Sequence, residues 1–128
     1  MIPLHFDILD GDYTLHRFPP DSPIPPELLQ RRFFSVTRTD EELSILCEAD
    51  LPLPSPKKEM GWAGLKIRGP LDFSLIGILA DVSDVLARAE IPLFAVSTYD
   101  TDYLFVPAGA LHSARRALEE AGAIFSEN

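Results

Sequence analysis

The segment STYDTDYLFV, residues 97–106, sets two carboxylates, Asp100 and Asp102, between two apolar runs. A tight hairpin needs only an Asn-Gly or Asp-Gly pair at its turn. A second acid two residues further on suggests a partner for a cationic group, such as an α-ammonium. Asx side chains also close turns through hydrogen bonds to the backbone, and spacing alone leaves both readings open. Upstream, the segment GPLDFSLIG, residues 69–77, leads into an amphipathic stretch. The free N–H groups and the dipole at a helix start favour an anion, and the α-carboxylate of an amino acid suits that position. An anion hole beside a carboxylate makes a site for a zwitterion.

Other chemistry is sparse. In DILDGD, Asp7, Asp10 and Asp12 lack the alternating acids and the twelfth-position Glu of a calcium loop. The expectation there is a solvated N-terminal turn. His5, His16 and His112 fall on different predicted elements with no i, i+4 pairing, so no metal site is expected. Neither a Gly-rich phosphate loop nor a G-x-S-x-G elbow is present. No cofactor and no catalysis are therefore expected. The lone Cys47 sits in the apolar-flanked LSILCEA without a His or a basic neighbour, which predicts a buried, inert thiol.

The chain has 128 residues, with 11 Lys plus Arg against 20 Asp plus Glu and a net charge of -9. A surface of that sign repels phosphate backbones, so nucleic acid is not an expected partner. The N-terminal stretch lacks the basic region of a signal peptide, and Asp81 and Asp84 interrupt the most apolar run. A soluble chain in a reducing cytoplasm, with no membrane partner, is the expectation.

The elements that must hold these residues read clearly from residue 62 onward. WAGLKIRG alternates as a strand, with Leu65 and Ile67 on one face and Lys66 and Arg68 on the other. Leu75, Ile78, Leu79, Val82, Val85, Leu86 and Ala89 form one face of a helix. IPLFAVST and YLFVPA read as strands, GALHSARRALEEAG as a helix stopped at Gly122, and AIF as a short strand. Strand, helix, strand, strand, helix, strand is the split βαβ pattern of a ferredoxin-like α+β sandwich. The first half reads as strand 13–18, short helix 25–30 and strands 33–39 and 43–48, then a Pro-rich break, LPLPSPKKEMG. It is read as a degenerate copy on element order alone, with domains 1–61 and 62–128 and a boundary near residue 61.

The run LDFSLIGILADVSDVLARAEIPLFAVSTYDTDYLFVP, residues 71–107, resembles the ACT domain, a small module that binds amino acids and related ligands. It is most similar to the aspartate kinase regulatory type and to the animal cytosolic arginine sensors. In these a glycine opens the first helix and an S-T-aromatic-x-x-D segment ends the second strand, here Gly77 and Ser97, Thr98, Tyr99 and Asp102. The resemblance implies two ACT-like copies in tandem, the first degenerate. It implies that Leu75, Ile76, Gly77 and Ile78 meet a ligand carboxylate through backbone amides. Tyr99, Asp100, Thr101 and Asp102 would form the opposite wall, with Asp100 at the turn and Asp102 the ammonium partner. The arginine sensors carry an acid two residues before that glycine, where this chain has Leu75. A guanidinium facing an apolar wall would leave buried donors unpaired, so a neutral amino acid is expected rather than arginine.

Two functions follow from different classes. The first is a non-catalytic amino-acid sensor or regulatory protein, acting as a homodimer because ACT modules pack side by side and open strand edges tend to be covered. The alternative is an interaction subunit with a vestigial ligand site that docks an unidentified protein partner.

Overall fold

The strand alternation and the helical spacing of the sequence become a mixed α+β fold in the computed structural model, which describes residues 2–68 and 77–126. The elements are β1 (His5–Phe18), β2 (Phe34–Arg38), β3 (Leu43–Glu48), β4 (Lys57–Ile67), α1 (Ile78–Arg88), β5 (Phe94–Ser97), β6 (Asp102–Pro107), α2 (Leu111–Glu120) and β7 (Ile124–Phe125). Single 3₁₀ turns occupy Pro26–Gln30 and Ala108–Ala110. Two compact units result, one of residues 1–10 with 63–128, the other of residues 11–62. β1 and β4 each supply residues to both.

In the larger unit β4 runs between β1 and β6, and β5 lies outside β6. β5 and β6 pair antiparallel, with Phe94 opposite Phe105 and Ser97 opposite Asp102. β7 pairs in parallel with the start of β1, His5 opposite Ile124 and Phe6 opposite Phe125. The period-2 residues Ala63, Leu65 and Ile67 of β4 and Leu104 and Val106 of β6 join Val82 and Leu86 of α1 and Ala114 and Leu118 of α2 in one core. Each fully buried Leu there contributes roughly 1.5–3 kcal/mol relative to exposure. That apolar contact is what fixes both helices on the sheet, because neither is long enough to persist alone in water.

The smaller unit pairs β1 with β3 antiparallel, from Tyr13 opposite Glu48 to Phe18 opposite Leu43, and β3 with β2. The charged turn of the β2–β3 hairpin is organised by Thr39, whose Oγ1 accepts from the amides of Glu41 and Glu42. Phe18, Leu28, Leu43, Ile45, Cys47, Leu51 and Leu53 form its core. Leu51 and Leu53 come from the Pro-rich segment, which covers the sheet with no helix of its own.

Three expectations need correction. DILDGD is not a turn but part of β1, held by strand pairing although Asp10 and Asp12 are exposed. β4 begins at Lys57 rather than Trp62. Lys57 to Met60 are all exposed, so they lack the alternation that marks a strand in sequence. The short helix after the first prolines is a 3₁₀ turn, Pro26–Gln30, in which the amides of Leu28 and Arg31 donate three residues back, to the carbonyls of Pro25 and Leu28.

Candidate functional site

The segment that joins β5 to β6 is built by two threonines. The amide of Thr98 donates to the carbonyl of Thr101 at 2.8 Å, and the amide of Thr101 donates to Oγ1 of Thr98 at 3.2 Å. The side-chain to backbone closure expected of an Asx residue is thus made by Thr98. Asp100 and Tyr99 stand exposed at the tip, Tyr99 at 84%.

Thr101 points inward. It is 5% exposed, and its hydroxyl donates to the carbonyl of Ile67 at 2.6 Å. That bond ties the turn to the last residue of β4. Asp102 follows as the half-buried first residue of β6, and one of its carboxylate oxygens accepts from the hydroxyl of Ser97, its cross-strand neighbour. Ser97 and Thr98 are exposed. The side chains at positions 97 and 102 therefore present one fixed carboxylate at the end of the hairpin.

The same end of the unit is where the chain leaves β4 toward α1. Gly77 precedes the helix with φ 85° and ψ 2°, a left-handed conformation that strains any residue with a Cβ. No described side chain caps this helix start. Ile78, half-buried, packs on the core. Leu75 and Ile76, the other residues expected to line the site, lie outside the described residues.

On the other flank of the same β4 end sits a polar cluster that sequence reading missed. The Arg68 guanidinium donates to both carboxylate oxygens of Asp7, at 2.8 and 3.3 Å, and to Oγ of Ser126 at 2.6 Å. His5 Nε2 shares a 2.7 Å hydrogen bond with the same Ser126 hydroxyl. The hydrogen bond from Arg68, with help from Ser126, holds the Asp7 carboxyl below the usual carboxylate range. The only advance signal was the position of Arg68 on the face of its strand opposite Leu65 and Ile67. Its partners lie at distant sequence positions that no local pattern connects.

Among the described residues no group of three or more His, Cys, Asp or Glu is placed to hold a metal ion. Cys47 is fully buried in the smaller unit, and burial pushes its thiol up to about 11. Among the described residues no helix is long and apolar enough to cross a membrane.

Comparison with known proteins adds family information to this geometry. A family model described as ACT domain matches residues 57–120, and a second, describing an N-terminal domain, matches residues 11–54. The cytosolic arginine sensor for mTORC1 subunit 1 of Pongo abelii is 30% identical over 122 residues, which cover 88% of this chain and 37% of that protein. The chain thus spans little more than a third of that relative. A crystal structure of an Agobacterium tumefaciens protein is similar with a TM-score of 0.89 at 35% identity, covering 98% of this chain and 94% of the other. The regulatory subunit of aspartate kinase from Thermus thermophilus is similar with a TM-score of 0.61 at 14% identity, covering 88% and 93%. At that identity the similarity is one of fold.

Proposed function

The chain belongs to the ACT domain family, and from that premise we propose that it is a non-catalytic regulatory protein that binds an amino acid between the start of α1 and the Ser97–Asp102 turn. The observation that carries this reading is the Asp102 carboxylate, oriented by Ser97 at the end of a turn that Thr101 ties to β4. A fixed carboxylate suits an α-ammonium, and the amides after Gly77, capped by no described side chain, suit an α-carboxylate. Relatives named as arginine sensors and aspartate kinase regulatory subunits support an amino acid as the ligand class.

The ligand proposed is neutral rather than arginine, on the apolar Leu75 two residues before Gly77. The two units are read as tandem ACT-like copies, the first degenerate, acting as a homodimer in the cytoplasm. β2 and β5, which end the strand order, offer edges for pairing.

The test is a thermal-melt panel against the proteinogenic amino acids, arginine included. Ligand at a hundred times its dissociation constant stabilises by about 2.7 kcal/mol, a shift of several degrees in a domain of this size. A hit from one chemical class, lost in Asp102→Asn, supports the reading. No shift with any amino acid removes it in favour of an interaction subunit, the alternative that Tyr99, 84% exposed at the hairpin tip, favours.

A further inference from the structure

We infer that Arg68 is a positioning residue for the Ser97–Asp102 turn, acting through the peptide group that joins it to Ile67. This rests on the amino-acid site proposed above for its functional meaning, but its structural content stands on separate contacts.

The Ile67–Arg68 peptide is bonded from both sides. Its carbonyl accepts from the Thr101 hydroxyl at 2.6 Å, and its N–H donates to the carbonyl of His5 at 2.7 Å. The C=O and N–H of one peptide point in opposite directions across a rigid plane. Any rotation that weakens the His5 bond therefore turns the carbonyl away from Thr101. The turn and the start of β1 are held by one rigid group.

What keeps that plane in place is the side chain of Arg68. Its fork grips both oxygens of Asp7, two residues beyond His5 on the same strand, so backbone and side chain fasten Arg68 to one short stretch of β1. Ser126 closes the cluster from the C-terminal side: its amide donates to the Phe6 carbonyl at 3.0 Å, while its hydroxyl accepts from Arg68 and meets His5. A bidentate guanidinium–carboxylate pair fixes direction as well as distance. The Thr101 hydroxyl, the 67–68 peptide and the His5 carbonyl form two hydrogen bonds in series, which polarise and reinforce one another. The path runs from Ser126 and Asp7 through Arg68 and the 67–68 peptide to Thr101, and Thr101 sits beside the carboxylate of Asp102.

The arrangement departs from a simple surface ion pair. The Arg68 side chain is 50% exposed and that of Asp7 is 31% exposed, a setting in which a lone pair adds little stability. Removing it should then cost little global stability, and the local consequence should be visible at the turn.

The experiment is residue-level amide hydrogen exchange on the full chain, comparing wild type with Arg68→Met and Arg68→Lys, without ligand and with the amino-acid panel. In Arg68→Met the amides of Thr98 and Thr101 are expected to exchange about tenfold faster, the loss of roughly one charged hydrogen bond. Leu86 and Leu118 in the core should hardly change. Arg68→Lys, which keeps the charge without the fork, should restore part of the protection. Where wild type binds an amino acid, Arg68→Met should weaken binding about tenfold. Unchanged exchange at the turn, acceleration spread evenly over the core, or unchanged affinity in a wild type that binds overturns the inference. If wild type binds no amino acid while the turn still loosens in Arg68→Met, the sensor reading fails and the positioning role stands.

Discussion

Glu90 and Gly122 occupy the same place in two helices. Each is the left-handed residue that closes its helix, with φ 59° at Glu90 and 108° at Gly122. In α1 the amide of Ile91 donates to Leu86 and that of Glu90 to Ala87; in α2 the amide of Ala123 donates to Leu118 and that of Gly122 to Glu119. Both are the Schellman arrangement. The first is made by a residue with a Cβ, which a left-handed conformation penalises by roughly 1 kcal/mol. Glu90→Gly is therefore expected to raise the melting temperature by a few degrees, and Gly122→Ala to lower it by a similar amount, both read by calorimetry.

Gly64 lies where β4 is crossed by other side chains. A Cβ at this position would come within 2.7 Å of Leu9 and 2.9 Å of Phe105. Phe105 is fully buried, so the ring cannot swing into solvent. Gly64→Ala should destabilise by about 1–3 kcal/mol, the usual cost of overpacking. Gly64→Ala combined with Leu9→Ala should recover part of it, measured by urea titration of the single and double variants.

His16 makes stability depend on pH. It is 3% exposed; Nδ1 meets Oγ of Ser55 at 2.7 Å, and Nε2 has no hydrogen-bond partner among the described residues. Burial, and then the nearby Lys58 ammonium, lower its pKa in the folded chain. The unfolded chain therefore takes up the proton more readily. Stability is full above about pH 6.5, the unfolded value, and is lost as pH falls through the lower folded value. His16→Gln should flatten the melting-temperature profile between about pH 7 and pH 5 relative to wild type. A slope that persists unchanged would assign it to other groups.

Cys47 should be silent in the native protein. A fully buried thiol with a pKa raised to about 11 carries almost no thiolate at neutral pH. Labelling by a disulfide reagent is expected only as the chain unfolds, with a rate that follows denaturant. Rapid labelling in buffer would contradict the burial.

The sequence by itself determined the periodic elements. Val82 and Leu86 of α1 and Ala114 and Leu118 of α2 are buried on the faces that their spacing marked, because a helix on a sheet must turn its apolar stripe inward. The order of strands and helices from residue 62 onward was legible for the same reason. The ligand candidates at 97–102 were also visible, since they break an apolar run.

Only tertiary structure decided the rest. Exposed strand residues such as Asp10, Asp12 and Lys57–Met60 carry no periodic signal, for their order comes from pairing with another strand rather than from burial. The division of labour within the turn, with Thr98 closing it, Thr101 turned inward to Ile67 and Asp102 left with a carboxylate on offer, follows from which side chain reaches which backbone atom. Arg68, Asp7 and Ser126 are separated by up to 119 positions in the 128-residue chain, and their meeting follows from the parallel pairing of β7 with β1. Contacts of that range depend on how the whole chain packs, and a local pattern of residue types does not encode them.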